Sequence, residues 1–143
     1  MTDCIFCKII AHHAPASEVY RDEVCTAFMD IQPINPGHVI IVPNEHAANL
    51  AELRPDTGAH LFRVAQRLAA AVRSSGVRCE GVNFWLADGE AAFQDIFHVH
   101  FHVIPRYADD GFDLILSPAY NTKPERTELD EIAAKIRPQV IED

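Results

Sequence analysis

The hydrophobic pattern changes period several times along the chain, and each change predicts an element. From Phe97 to Val103 large apolar residues alternate strictly with histidines, His98, His100 and His102. Period-two alternation is the signature of a half-buried strand, with Phe97, Val99, Phe101 and Val103 facing a core and three histidines on the other face. Neighbouring histidines would then stand roughly 7 Å apart, and Pro105 would end the ladder. His38-Val-Ile-Ile-Val-Pro43 is an unbroken apolar run, expected as a central strand covered on both faces. Val19–Arg21 and Val24–Met29 read as a hairpin turning at Asp22-Glu23, and Gly81–Ala87 as a further strand.

Helical spacing appears in two places. Leu61, Val64, Ala65, Leu68 and Val72 form one apolar face of a long helix, capped by Asp56 or Thr57 and stopped at Gly76. His60 lies on this helix and is read as a surface residue. Leu129, Ile132, Ala133 and Ile136 give a last amphipathic helix over Glu125–Arg137, capped by Thr127. Two short helices are expected besides: one after Cys7, and one capped by Asn44 that sets His46 in its first turn. Strands outnumber helices and connections are short. The expected class is α+β, a largely antiparallel sheet with helices on one face.

Composition narrows the function classes. At 143 residues the chain is expected to form a single domain over 1–143, with 48% apolar residues and a formal charge of -9. That charge argues against non-specific binding to nucleic acid or acidic membranes. The opening residues carry no secretory pattern, and no apolar run approaches the ~18 residues of a membrane span, so a cytoplasmic protein is expected. Cys4, Cys7, Cys25 and Cys79 are then not a disulfide framework.

Two features carry chemistry. Cys4-Ile-Phe-Cys7 is a C-x-x-C pair with nothing strand-like before it, which favours half a zinc site over a redox pair. Zinc needs four ligands, so two more must come from elsewhere. The alternating histidines admit two readings, an i, i+2 pair clamping a catalytic metal or a histidine nucleophile. The residues by themselves leave both open.

His98-Val-His-Phe-His-Val-Ile104 resembles the motif of the histidine triad (HIT) family. Cys4-Ile-Phe-Cys-Lys-Ile-Ile10 is similar to the N-terminus of its bacterial members. Ala27–Ile31, Pro36-Gly37-His38, Val42–His46 and Gln94 fall in the family's order. The resemblance implies a five-stranded antiparallel sheet with one long and one or two shorter helices, paired as a homodimer into a ten-stranded sheet. Residues 1–16 would be a zinc-knuckle N-terminus and 106–143 a C-terminal loop and helix. It implies a nucleotide-binding hydrolase or transferase that releases a nucleoside monophosphate, AMP above all, from phosphoramidates or dinucleoside polyphosphates. The alternative is a nucleotide-sensing or scaffold module with little turnover.

The resemblance also assigns roles. His100 becomes the nucleophile that forms a covalent nucleotidyl-histidine. His102 contacts the phosphate, and Gln94 orients the phosphate or the attacking water. Asp30 holds the ribose, and Phe6, Ile9, Phe28 and Ile31 enclose a purine base. Cys4, Cys7, His46 and His98 become a structural zinc site, and His38 stands near the triad. The chain departs from the family's usual residues at Ala87 (usually Asn), at Phe93 (usually small) and at Asp95, where a Ser or Thr usually bonds the phosphate. A carboxylate at 95 repels phosphate, and suits instead a leaving group with an amine or a proton-donating role.

Overall fold

The computed structural model describes residues 3–142. Its elements run α1 (Ile5–Ile10), β1 (Glu18–Arg21), β2 (Cys25–Met29), β3 (Val39–Pro43), α2 (Pro55–Ser74), β4 (Gly81–Leu86), β5 (Phe101–Arg106) and α3 (Arg126–Ile136), with short 3-10 turns between. The five strands form one antiparallel sheet in the order β1-β2-β3-β5-β4. The chain divides into two compact units, Met1–Phe112 and Asp113–Asp143. Among the described residues, no helix is long and apolar enough to cross a membrane.

The unbroken apolar sequence of β3 requires cover on both faces, and it gets it. Cys25, Ala27, Val39, Ile41 and Val103 face α2, whose Leu61, Val64, Ala65 and Leu68 fill that side as their spacing predicts. Phe28, Ile40 and Val42 face the other way, where Phe6 and Ile9 of α1 close over them. Helices therefore lie on both faces, not on one: strands apolar on both sides cannot leave a face in water.

The hairpin, β3, β4 and the long helix stand where the pattern puts them. Several finer expectations are corrected. The histidine strand begins only at Phe101. Its ladder to β3 starts at Ile41↔Phe101 and its ladder to β4 at Leu86↔Phe101. Upstream, the Val99 N–H donates to the Ala47 carbonyl, so the loop after β3 satisfies the backbone that a strand partner would have taken. Phe97, expected in the core, is half exposed. Pro105 does not end the strand. It pairs with Val82 of β4 beyond the point where β3 pairing has stopped, at Val39↔Val103.

No helix follows Asn44. Its amide donates to the Asp22 carbonyl and accepts from Thr26 Oγ1, tying the hairpin turn together instead of capping. Helix α2 starts earlier than its expected caps, at Pro55, whose fixed φ suits a first helical position. Gly37 does what its Pro-Gly context suggests: φ is +93° and a Cβ there would lie 2.8 Å from Val77 Cγ1. In the second unit, α3 is preceded by Glu125, not Thr127, as its N-cap, and its apolar residues Leu129, Ile132 and Ile136 are exposed.

Candidate functional site

Two sites share the histidine stretch. At the first, Cys4 is the N-cap of α1 and Cys7 sits three residues on, in the first turn, so both thiols meet one end of the helix. His46 comes from the bend after β3, and His98 from the extended segment before β5. Cys4 Sγ lies 3.3 Å from His98 Nδ1, Cys7 Sγ 3.6 Å from it and 3.4 Å from His46 Nδ1, and the two Nδ1 atoms are 3.1 Å apart. A tetrahedral zinc with bonds of ~2.0–2.3 Å has ligand–ligand edges of roughly 3.3–3.8 Å. The four donors therefore already stand close to the corners that one such ion needs, and all lie within 4.8 Å of one another.

The tautomer agrees. His98 Nε2 is 2.8 Å from the Pro43 carbonyl, which can only accept, so the proton is on Nε2 and the Nδ1 lone pair faces the sulfurs. His98 is fully buried, and burial, with His46 and His100 nearby, pushes its pKa down to about 4. It is a neutral ligand at physiological pH.

The second site is a groove of about 250 Å³ on the α1 side of the sheet. His100 Nδ1 donates to the His98 carbonyl at 2.9 Å, which leaves the Nε2 lone pair uncommitted. The Phe6 ring meets His100 edge-on, with centroids 5.2 Å apart, and holds it upright. Behind His102 a chain of hydrogen bonds sets its protons. The Ile34 N–H donates to His38 Nδ1, so His38 carries its proton on Nε2 and gives it to His102 Nδ1 at 2.8 Å. His102 is left with its own proton on Nε2, a neutral donor. Burial, reinforced by His100 and His38, pushes its pKa down to about 4. Asp30 Oδ2 stands 3.6 Å from His38 Nε2 and 3.9 Å from His102 Nδ1. Asp95 Oδ1 stands 3.7 Å from His100 Nε2, with the side chain 81% exposed.

The HIT domain family matches residues 11–109. The chain belongs to the HIT family. The adenosine 5'-monophosphoramidase of Schizosaccharomyces pombe is 32% identical over 136 residues, 94% of this chain and 98% of that protein. The crystal structure of a HIT family member from Bacillus subtilis superposes with a TM-score of 0.88 at 33% identity, covering 99% of this chain and all of that one. A zinc-bound histidine triad protein from Mycobacterium smegmatis gives 0.75 at 35% identity over 96% and 98% of the two chains. The sheet order and helix set described above are those of a HIT fold.

The residues expected to act together divide as follows. Cys4, Cys7, His46 and His98 converge in one cluster. Phe6, Ile9, Phe28, Asp30, Ile31, His100 and His102 line one groove, with Ile31 almost wholly exposed at its rim. Gln94 stands apart. It is buried, its Oε1 accepts from the Gly89 N–H, and its Nε2 donates to the Ala48 and Ile96 carbonyls. Its amide is spent on bracing the loop that presents Asp95.

Sequence reasoning did not see the pairing of His60 with Asp22. His60 Nε2 donates to Asp22 Oδ2 at 2.7 Å. Burial alone would raise the Asp22 pKa, but bonds from His60, the Cys25 and Val24 amides and Tyr20 outweigh it and hold the carboxyl well below its usual range. Turn and helix are far apart in sequence, so no local pattern announces the contact.

Proposed function

We propose that the groove is a nucleotidyl-transfer site and that the chain is a hydrolase or transferase releasing a nucleoside monophosphate, AMP in the first instance. The observation that carries this reading is the His100 tautomer: Nδ1 is tied to the His98 carbonyl, and Nε2 is free in a groove that also holds His102 and Asp30. A neutral imidazole needs no further deprotonation to attack phosphorus.

In the first step the Nε2 lone pair forms an N–P bond while the bond from phosphorus to the departing group breaks. That group leaves with its electron pair and takes up a proton from solvent. In the second step water adds to phosphorus, the N–P bond breaks back to His100, and the water's proton is lost to solvent. His102 Nε2–H donates to a phosphoryl oxygen throughout, and its bond from His38 keeps that proton in place. Asp30 accepts the ribose hydroxyls, and Phe6, Ile9, Phe28 and Ile31 enclose the base. Gln94 acts through the loop it braces.

Cys4, Cys7, His46 and His98 would hold zinc, which closes the N-terminus onto the His98 segment and leaves no open coordination position for chemistry. The same His98 carbonyl orients His100, so the cluster stiffens the nucleophile. A cytoplasmic setting, where thiols stay reduced, suits these ligands. A second copy would pair along β4, one of the two sheet edges, where Phe84 and Trp85 are partly exposed, to make a ten-stranded homodimer.

The test is a panel of adenosine phosphoramidate, diadenosine polyphosphate and adenylyl sulfate, with and without phosphate, against wild type and His100→Ala. AMP release lost in the variant, with metal content kept, supports the reading. Full turnover by His100→Ala overturns it. AMP bound tightly with no conjugate turned over points to the sensing role instead.

A further inference from the structure

Every group lining the groove that could meet a phosphate or what departs from it is neutral or negative. Asp30 and Asp95 are carboxylates, His100 offers a lone pair, and His102 is a neutral donor. No lysine or arginine lines the groove among the described residues. A substrate with one phosphoryl charge meets the His102 donor here. A polyphosphate or sulfate beyond that phosphorus finds no counter-cation.

Asp95 adds direction to this field. Its Oδ1 is 3.7 Å from His100 Nε2, the atom that must meet phosphorus. Reacting atoms approach to about 3–3.5 Å before attack, so the phosphoryl oxygens and the departing group come within one Debye length of the carboxylate. On the nucleotidyl-transfer reading the nucleoside takes the Phe6–Phe28 end of the groove, and the departing group then lies on the open side, where Asp95 is exposed. The loop is held rigidly enough to matter. Gln94, next in sequence, is anchored by three backbone hydrogen bonds.

We infer that Asp95 selects the leaving group: the site takes nucleotide conjugates whose departing group carries a positive charge, such as an alkylamine bearing an ammonium, and discriminates against departing groups that bring further negative charge. This rests on the reading of the groove as a nucleotidyl-transfer site and names the substrate class of that site. The carboxylate attracts an ammonium and repels a polyphosphate, and solvent screening at an exposed side chain limits the effect to about tenfold in each direction.

The experiment compares two adenosine phosphoramidates of one diamine, one with its distal amine free and one with it acetylated, and diadenosine tetraphosphate as the anionic case. The readout is the ratio of kcat/KM values in wild type, Asp95→Asn and Asp95→Lys. Wild type is expected to favour the ammonium conjugate over its acetylated twin by about tenfold, a preference that 0.5 M salt compresses. Asp95→Asn brings the ratio near one, and Asp95→Lys inverts it and raises the relative rate on the tetraphosphate. A ratio that does not change with residue 95 overturns the inference. If wild type releases AMP from none of these, the transfer reading fails by itself. The inference is then decided by calorimetry with the matching non-hydrolysable 5'-sulfamoyl adenosines, where the same tenfold ratio in Kd must follow residue 95 or the inference falls.

Discussion

His98 and His100 are two residues apart, both buried, and chemically opposite. His98 gives its Nε2 proton to the Pro43 carbonyl and turns Nδ1 toward Cys4, Cys7 and His46. His100 gives its Nδ1 proton to the His98 carbonyl and leaves Nε2 free in the groove. One carbonyl acceptor on each ring decides which nitrogen keeps a lone pair, and so, on the function proposed above, which ring would serve as a ligand and which as a nucleophile. The four donor atoms of the cluster face one another. In the groove, His100 Nε2 makes no hydrogen bond among the described residues. The lesson is that a histidine's role is set by the acceptor behind it more than by its place in a motif.

The largest expected effect breaks the groove and spares the cluster. His100→Ala should lower AMP release by ~10³-fold or more, since removing a nucleophile leaves only binding and donor effects. Elemental analysis of the same variant should still find one zinc per chain. A variant that loses metal as well as activity would show that the two sites are one, as a three-histidine metal hydrolase requires. The converse change comes next. Cys4→Ser with Cys7→Ser should abolish zinc binding and cost about 3 kcal/mol of stability, read as a fall in Tm of roughly 10 °C. An unchanged Tm, with or without chelator, would mean the cluster is not a structural metal site.

Much of this division was legible beforehand, for physical reasons. Hydrophobic period alone placed the hairpin, β3, β4 and α2, because each buries a face whose spacing the sequence must supply. The C-x-x-C spacing marked Cys4 and Cys7 as half a metal cluster, while His46, His98 and the groove residues came from motif resemblance, which carries long-range proximity that periodicity cannot. What escaped was whatever depends on one side chain meeting a distant backbone atom. The Pro43 carbonyl behind His98, the Ala47 carbonyl that replaces a strand partner at Val99, and the spending of Gln94 on Gly89, Ala48 and Ile96 have no local signature. His60 on Asp22 is the same kind of miss.

His102 is held neutral like His98 but faces the groove. Its folded pKa of about 4 lies below the ordinary value near 6.5, so between these values the unfolded chain binds the extra proton. Stability from this group is complete above about pH 6.5 and is lost as pH falls toward 4, by on the order of 2–3 kcal/mol. His102→Asn should make the Tm profile shallower over that window, the remaining slope coming from His98, whose pKa is also pushed down to about 4, and from His38, whose pKa burial lowers too. It should leave untouched the further loss below about pH 4, where Asp22 and Asp110, both held well below the carboxylate range, take up protons. A profile between pH 6.5 and 4 that is identical in wild type and variant would remove the case for a neutral donor at 102.

The smallest expected effect concerns the loop on the groove side. Phe93 closes the 3-10 turn Glu90–Ala92 with φ 69° and ψ 25°, a left-handed conformation, and its ring is 82% exposed. A side chain in that region costs roughly 1–2 kcal/mol, and here little burial offsets it. Phe93→Gly relieves the strain but gives the unfolded chain more freedom, which returns about 0.4–1 kcal/mol. The net expectation is a gain of roughly 0.5–1 kcal/mol in chemical denaturation. Phe93→Ala is the control: it keeps the Cβ and hence the strain, and should show no gain. If alanine stabilises as much as glycine, the cost lies in the exposed ring and not in the backbone. If neither does, the ring is making a favourable contact in solution, and the loop that presents Asp95 is held by Phe93 as well as by Gln94.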